Sequence, residues 1–216
     1  MSGVRETRKQ QTKEAILTAA MAFFQRKGYR QTSLKELAEQ VGIGKSTLYT
    51  YFRNKSELFL AFCEDEYARK NQEYLACLQG NDPLVTKLHR FFMAKFDNIC
   101  ASGDAGRMLI REVFFPGDHA LRTGVQQLDN RYIDLLIPYF RAAQKKKELR
   151  QDVDLPLVIG QFYGSYLITL SSWYTTRLQT REDVSRVLLN FFEMAMIGLI
   201  SSVEQPREVD KDEAQV

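Results

Sequence analysis

Apolar residues recur along the chain at intervals of three and four positions, the spacing that places them on one face of an α-helix. The first such stripe ends shortly before Gly28, a residue that suits a helix end, and it comprises Ile16, Leu17, Ala20, Phe23 and Phe24. Shorter helical patterns lie on either side of a break at residues 41–44. No alternating pattern of the kind that indicates β-strands competes with these stripes. We therefore predict an all-α protein of about nine helices.

Helix-start signals divide the chain further. Residues 33–36 and 54–57 both have the pattern of a capping box, and the second opens a long helix that runs towards Leu78. Beyond it, the pattern predicts antiparallel helices near residues 83–101, 104–115, 118–147, 155–176 and 181–203. The last segment, residues 204–216, is rich in acidic residues and poor in apolar ones, so we expect it to be disordered.

Charge is distributed unevenly over the 216 residues. The whole chain carries a formal net charge of +3, but residues 1–62 carry +6 and the remainder −3. A basic N-terminal segment favours a polyanionic partner, although a merely solvated surface would have the same charge. Cys63, Cys77 and Cys100 are odd in number and form no C-x-x-C pair. They fit reduced thiols in the cytoplasm better than disulfides or a zinc site.

One segment requires a test for membrane insertion. Residues 155–176 contain no formal charge over 22 positions, which is long enough to span a bilayer. The segment also contains Gln161, a proline and many hydroxyl side chains, so a helix buried on more than one face of a soluble protein explains it better. The N-terminus has no apolar segment typical of a secretory signal. We expect a cytoplasmic protein with no membrane span.

Residues 32–55 predict two short helices joined by a glycine-containing turn, which is the helix-turn-helix arrangement. If Leu48 and Phe52 point inward, the opposite face of the second helix presents Lys45, Ser46, Thr47, Tyr49, Thr50 and Tyr51. These side chains suit phosphates and base edges. Thr32, Ser33 and Lys55 lie at helix N-termini, which bind phosphates. Any one of these residues could be only a helix cap or a core residue. Because all of them lie on one edge of the basic N-terminal segment, the set as a whole favours DNA binding.

Other chemistry finds little support in the sequence. Residues 44–47 resemble the end of a phosphate-binding P-loop, but Glu39 stands where that pattern requires glycine, and a helix rather than a strand precedes it. His89 and His119 are isolated, so we predict no metal site. No arrangement of nucleophile and base stands out. We predict neither enzymatic activity nor a cofactor.

The run VGIGKSTLYTYFRNKSELF, preceded by GYRQTSLKELAEQ, resembles the N-terminal signature of the TetR/AcrR family of transcriptional regulators. The resemblance covers roughly residues 9–62. It implies a DNA-binding domain over residues 1–55 and a ligand-binding and dimerisation domain over residues 56–203. It also implies a homodimer, most often a repressor that a small molecule releases from double-stranded DNA.

The resemblance further implies roles for individual residues. Base or phosphate contacts carry over to Lys45, Ser46, Thr47, Tyr49, Thr50, Tyr51 and Lys55, with Thr32 and Ser33 on the DNA backbone. Two-fold symmetry of the dimer predicts a palindromic operator. A ligand-carrying protein or enzyme, and a protein that coats DNA without sequence preference, are the two rival hypotheses.

The body offers a candidate pocket and a candidate dimer surface. Aromatic residues are frequent in its middle helices, and we predict a pocket for a largely apolar effector lined by Phe92, Phe96, Phe114, Phe162, Tyr166 and Trp173, with Arg111 and Gln161 orienting a polar end. Ordinary core packing explains any one of these residues as well. The last two helices are apolar around most of their circumference. We therefore predict a four-helix dimer interface that includes Leu188, Phe191, Phe192, Met196 and Leu199.

Overall fold

The computed structural model of the protein describes residues 2–101, 103, 106–107, 110–111 and 119–200. All regular structure in these ranges is helical, as the sequence predicts. The helices are α1 (Ser2–Gln31), α2 (Leu34–Val41), α3 (Lys45–Tyr51), α4 (Lys55–Cys77), α5 (Leu84–Ala101), α6 (His119–Lys145), α7 (Leu155–Tyr174) and α8 (Arg181–Ile197).

Two of the predicted segments are covered only in part. Within the helix expected at 104–115, the described residues 106–107 and 110–111 are helical, and the rest of that segment lies outside the described residues. The last helix ends at Ile197 and is followed by Gly198, so the predicted end at residue 203 is not reached within the described part of the chain. The tail expected at 204–216 also lies outside it.

Helices α1, α2 and α3 pack with the start of α4 into a small unit, which we call the head. Its core consists of Ile16, Leu17, Ala20, Phe23, Phe24, Leu37, Ala38, Leu48, Phe52, Leu58, Phe59, Phe62 and Val125. Gly28 has φ 75 and ψ 159, a conformation that is essentially restricted to glycine, and it redirects the chain at the end of α1. Gly42 caps α2 in the left-handed conformation and makes the tight turn towards α3.

The remaining helices form a second unit, which we call the body. Helix α5 packs between α4 and α8, and α7 packs between α6 and α8. A continuous apolar core joins these five helices, with Phe91, Phe92, Phe140, Phe162, Tyr166 and Phe192 among its largest fully buried side chains.

Two helices connect the head with the body. Helix α4 contributes Leu58, Phe59 and Phe62 to the head core, and about three turns later Tyr74 and Leu78 to the body core. The head core therefore extends past residue 55, into a helix that continues without a break. Helix α6 also reaches the head, because its Val125 belongs to the head core.

None of the described helices combines the length and the apolar character that crossing a membrane requires.

The start of α4 depends on two hydrogen bonds between side chains and the backbone. The side chain of Asn54 accepts a hydrogen bond from the Glu57 backbone N–H at 2.8 Å, and the Glu57 carboxylate accepts one from the Arg53 backbone N–H at 2.7 Å. The first bond satisfies an N–H group that a helix N-terminus otherwise leaves without a partner, and the second fixes the chain as it enters the helix. The helix start predicted at residues 54–57 and the Asn54 cap are thereby confirmed, although the Glu57 carboxylate bonds to the N–H of the residue before the cap, not to that of Asn54 itself.

We expect Asn54→Ala to lower the free energy of unfolding by about 1 kcal/mol, because Glu57 N–H loses its acceptor. Chemical denaturation followed by circular dichroism measures this difference. Asn54→Ser, which keeps a capping oxygen, is the control and should lose much less. Equal losses in the two variants would contradict a role for the cap.

Candidate nucleic-acid interface and body core

Helix α3 has one buried face and one polar face. Leu48 is fully buried and Phe52, at its C-terminus, is nearly so, and both lie in the head core. The spacing of these two residues fixes the orientation of the helix, so its opposite face is left to solvent. That face presents Lys45, Ser46, Thr47, Tyr49 and Thr50, all of them exposed, with Tyr51 half-buried beside it.

The exposed side chains of α3 combine a cation, hydroxyl groups and an aromatic ring. Tyr49 is 42% exposed, and Lys45 Nζ lies 5.8 Å from the centre of its ring. Thr50 Oγ1 donates a hydrogen bond to the Thr47 carbonyl at 2.7 Å, which leaves its oxygen able to accept. Such groups can contact both phosphate oxygens and the edges of bases.

Lys55 is held by the backbone at the end of α1. Its ammonium donates to the Tyr29 carbonyl at 2.8 Å and to the Thr32 carbonyl at 3.2 Å, and it lies 4.4 Å from the centre of the Tyr29 ring. Burial lowers the pKa of Lys55. This lysine therefore connects α4 to the segment between α1 and α2.

Thr32 and Ser33 make local contacts in the same segment. Thr32 is only 3% exposed, and its hydroxyl donates to the Gly28 carbonyl at 2.9 Å. Ser33 is the N-cap of α2, and its side chain accepts from the Lys35 backbone N–H at 3.2 Å. A contact from either residue to the DNA backbone stays a prediction.

Tyr29 and Ser56, which were not among the predicted site residues, support this segment. The Tyr29 hydroxyl and Ser56 Oγ are 3.3 Å apart, and the Tyr29 ring packs against Phe24 and Phe59. The pair Gly28-Tyr29 was the sequence feature that could have identified Tyr29, because a large aromatic residue directly after a glycine that redirects the chain tends to pack into the core.

Several residues predicted to line a pocket meet in the body core. Phe92, Phe96, Phe162 and Tyr166 are buried there, and Trp173 is half-buried with its ring 5.3 Å from that of Phe96. The rings of Phe92 and Tyr166 are 4.9 Å apart.

The other predicted pocket residues lie elsewhere. Gln161 is exposed on the face of α7 that points away from Phe162 and Tyr166. Arg111 is half-buried, and Phe114 lies outside the described residues.

Lys95 was not selected from the sequence, yet it is buried in this core with only 3% of its surface exposed. Its ammonium lies 3.0 Å from the centre of the Tyr132 ring and within 6 Å of four further rings, those of Phe91, Phe92, Tyr163 and Tyr166. Helical periodicity was the signal that could have found it, because Lys95 follows Leu88, Phe91 and Phe92 on the inward face of α5.

Helices α7 and α8, with the residues just after α8, carry a second apolar surface that points away from the body core. We call it the apolar face; it consists of the exposed residues Leu157, Ile168, Phe191, Met194, Ile197 and Ile200. Of the residues predicted for a dimer interface, Phe191 belongs to this face. Leu188, Phe192, Met196 and Leu199 are buried inside the protomer.

Comparison with known proteins agrees with the geometry of the head. The family model described as "Bacterial regulatory proteins, tetR family" matches residues 16–62. This range includes the part of α1 that packs in the head core, the two short helices α2 and α3, and the start of α4. The HTH-type transcriptional repressor NicS of Pseudomonas putida is 26% identical over 206 residues, covering 92% of this chain and 97% of NicS. This chain belongs to the TetR family.

Solved structures of other transcriptional regulators have a similar fold over most of the chain. The TetR-family transcriptional regulator from Cytophaga hutchinsonii aligns with a TM-score of 0.68 at 18% identity, covering 89% of this chain and 96% of that one. FadR from Bacillus subtilis, in complex with stearoyl-CoA, also aligns with a TM-score of 0.68 at 18% identity, covering 86% and 98%. These likenesses show the fold, a helix-turn-helix head followed by a helical body.

Lys45 is exposed on α3, whereas the Lys55 ammonium is bonded to two backbone carbonyls, so the two lysines should contribute differently to DNA binding. Binding to random-sequence duplex DNA tests this difference. We expect Lys45→Met to reduce the slope of log affinity against log salt by about one, because one phosphate contact and its counterion release are lost. Lys55→Met should leave the slope nearly unchanged and should lower stability instead, because two backbone carbonyls lose their donor. Fluorescence anisotropy across a salt series and thermal unfolding measure the two effects. An equal loss of slope in Lys55→Met would show that Lys55 contacts a phosphate as well.

Proposed function

We propose that the protein is a ligand-responsive repressor. A homodimer binds a palindromic operator through its two α3 helices, and a small, largely apolar effector releases it. The observation that carries the proposal is the exposed polar face of α3, which the burial of Leu48 turns outward. Within this proposal, residues 1–55 form the DNA-binding domain, residues 56–203 form the ligand-binding and dimerisation domain, and the dimer acts in the cytoplasm.

We infer which side chains contact bases and phosphates from their exposure to solvent on α3. Lys45, Ser46, Thr47, Tyr49 and Thr50 are the side chains of α3 that can enter a major groove without a change in the head core. Tyr51, half-buried at the side of the helix, is suited to a phosphate at the edge of the groove. Ser33 and Lys35 begin α2 close by, so the N-terminus of that helix supports a further phosphate contact.

The apolar face supports the homodimer. An exposed surface of this kind costs solvation free energy, and a second copy would bury it in a four-helix bundle formed by α7 and α8 of both protomers. Gly160 and Gly164 lie on the same side of α7 as Leu157 and Ile168, and nothing stands within 4 Å of where a Cβ would be. A partner helix can therefore approach α7 closely along this stripe. Two-fold symmetry would then set the two α3 helices against half-sites ~34–36 Å apart, or a multiple of that distance.

Contacts between α4 and α6 support a route from the effector to the head. Glu64 of α4 forms an ion pair with Arg131 of α6 at 3.2 Å, and the rings of Tyr67 and Tyr132 are 5.1 Å apart. A side chain added at Gly124 would collide with Leu60, so the two helices are close there as well. An effector that moves α6 would thus move α4 and change the separation of the two heads.

Release follows if the effector prefers a separation that does not match the operator. Heads at the wrong distance cannot occupy both half-sites, and the gain in affinity from bivalent binding is lost. FadR from Bacillus subtilis, which has a similar fold, has been solved with stearoyl-CoA, and this supports ligand binding by the present chain too.

We expect the purified protein to enrich a few palindromic sites from sheared genomic DNA at near-physiological salt, as measured by sequencing the bound fraction. Tyr49→Ala should reduce affinity for the enriched site by roughly tenfold or more, because a base-reading or phosphate contact is lost from each half-site. Gln72→Ala, an exposed change on α4, is the control and should bind as the wild type does. Uniform enrichment of all sequences would instead favour a protein that coats DNA without sequence preference.

The dimer surface can be tested independently of DNA. We expect Ile197→Asp to yield a folded monomer at concentrations at which the wild type is a dimer, because a charge would be buried in the apolar interface. Ile197 is 76% exposed in the protomer, so its own fold should not suffer. Thr86→Asp, an exposed change on α5, should remain dimeric. Sedimentation velocity measures the masses, and a dimeric Ile197→Asp would rule out this face as the interface.

A further inference from the structure

The N-terminal part of α1 extends beyond the head core. The helix comprises Ser2–Gln31, and its one non-helical residue is Gly28. Its first residue in the head core is Ile16. Of residues 6–15, Thr12 is half-buried and all the others are exposed. Residues 2–15, which we call the arm, therefore add about 20 Å of helix that the head core does not hold in place.

Basic residues outnumber acidic ones in the arm by four to two. Arg8, Lys9 and Lys13 are exposed, and none of them forms an ion pair with another residue in the described part of the chain. The acidic residue nearest to the head core, Glu14, accepts a hydrogen bond from the Gln10 amide at 2.8 Å instead. The three cations are therefore available to an anionic partner.

The basic side chains continue the face of α1 that packs into the head core. Lys9, Lys13 and Ile16 are separated by four and three residues, the spacing that places them on one face of a helix. Ile16 and, one turn later, Ala20 are fully buried in the head core, to which α2 and α3 also contribute. The basic stripe therefore points to the side of α1 on which α2 and α3 lie, beyond the end of the head core.

Without a partner, the charges of the arm are unfavourable. Lys9 and Lys13 repel each other, because residues four apart are neighbours on the surface of a helix. The first turn contains no acidic residue, which is the kind of side chain that stabilises a helix N-terminus. A helix of this length outside a core is also only marginally stable in water. A polyanion would offset both electrostatic effects, since it neutralises the cations and attracts the positive end of the helix dipole.

We propose that the arm is a second DNA contact, in which Arg8, Lys9 and Lys13 bind phosphates of the operator duplex outside the base pairs that α3 reads. This inference rests on the DNA binding proposed above and extends it to the DNA that flanks each half-site. A duplex held along the exposed face of α3 continues past the head, and the arm is long enough to follow roughly six of its base pairs. Phosphate contacts carry no base preference, so the arm adds affinity and α3 supplies the sequence preference.

The experiment compares two duplexes that contain the operator selected from genomic DNA. One contains the palindrome alone, and the other has about ten further base pairs, one helical turn, on each side. Fluorescence anisotropy should show that the full-length protein binds the extended duplex roughly tenfold more tightly or better. Its affinity for that duplex should also fall more steeply with salt, because the flanking phosphates release additional counterions.

A variant with Arg8→Gln, Lys9→Gln and Lys13→Gln should bind the two duplexes almost equally. Six phosphate contacts are lost from the dimer, so the slope of log affinity against log salt on the extended duplex should fall by about five. Hydroxyl-radical footprinting should show protection of the flanking backbone by the wild type and not by the variant. Because the three side chains are exposed, the fold of the head should be unaffected, which thermal unfolding verifies.

The matched control removes three exposed cations at the C-terminal end of α6, through Arg141→Gln, Lys145→Gln and Lys146→Gln. Helix α6 reaches the head at Val125, about 24 Å along the helix from the nearest of them. This control has the same net charge as the arm variant and should keep the wild-type preference for the extended duplex. Equal losses in the two variants would show a general effect of net charge and overturn the inference. So would an unchanged salt slope or an unchanged flanking footprint in the arm variant.

Failure of the inference and failure of the proposed function give different results. A wild type that selects an operator, together with an arm variant that binds both duplexes as the wild type does, leaves the function standing and overturns the arm contact. A wild type that selects no site overturns sequence-specific regulation. In that case a salt series on random-sequence duplex DNA still decides the inference, because the arm variant must have the smaller slope if its cations contact phosphates.

Discussion

Helix α4 contributes side chains to two hydrophobic cores, with Phe59 and Phe62 in the head and Tyr74 and Leu78 in the body. Its 23 residues form one helix of about 34 Å, and α-helices resist bending unless a proline, a glycine pair or a bulge interrupts them. The sequence between Lys55 and Cys77 contains no proline or glycine. Movement at the body end of α4 is therefore carried to the head, and the position of α3 depends on how α4 packs against α5 and α6.

The attachment of the head to α4 rests on polar contacts as well as apolar ones. Lys55 binds two carbonyls at the end of α1, and Gly28 adopts the conformation that brings these carbonyls into reach. The Tyr29 ring lies between this ammonium and Phe59, so the cation and the head core share one aromatic side chain. Directional bonds and apolar packing therefore both hold α1 and α2 against the start of α4. The polar face of α3 is positioned by the same contacts.

Local rules predicted the head well and the surfaces of the body less well. The capping pattern at Asn54 and the spacing of Leu48 and Phe52 are determined within a few residues, and both are present in the structure. Which of two apolar faces points inward is decided by packing with distant helices, and periodicity does not contain this information. Phe191 and Phe192 were therefore indistinguishable in the sequence, yet only Phe192 is buried in the protomer. Contacts across long separations, such as that of Lys55 with a carbonyl 26 residues away, are beyond local rules for the same reason.

An effector can change DNA binding only through a difference in its affinity for two arrangements of the helices. A shift from 1:99 to 99:1 requires a preference of about 10⁴-fold. Contact with aromatic rings alone supplies little of this preference, because burial of apolar surface is non-directional and survives small helix displacements. A contact between charges in a medium of low dielectric constant changes steeply with distance. In the proposed mechanism, the contacts of α6 with α4, namely the Glu64–Arg131 ion pair and the Tyr67–Tyr132 ring contact, would pass such a preference on to the head.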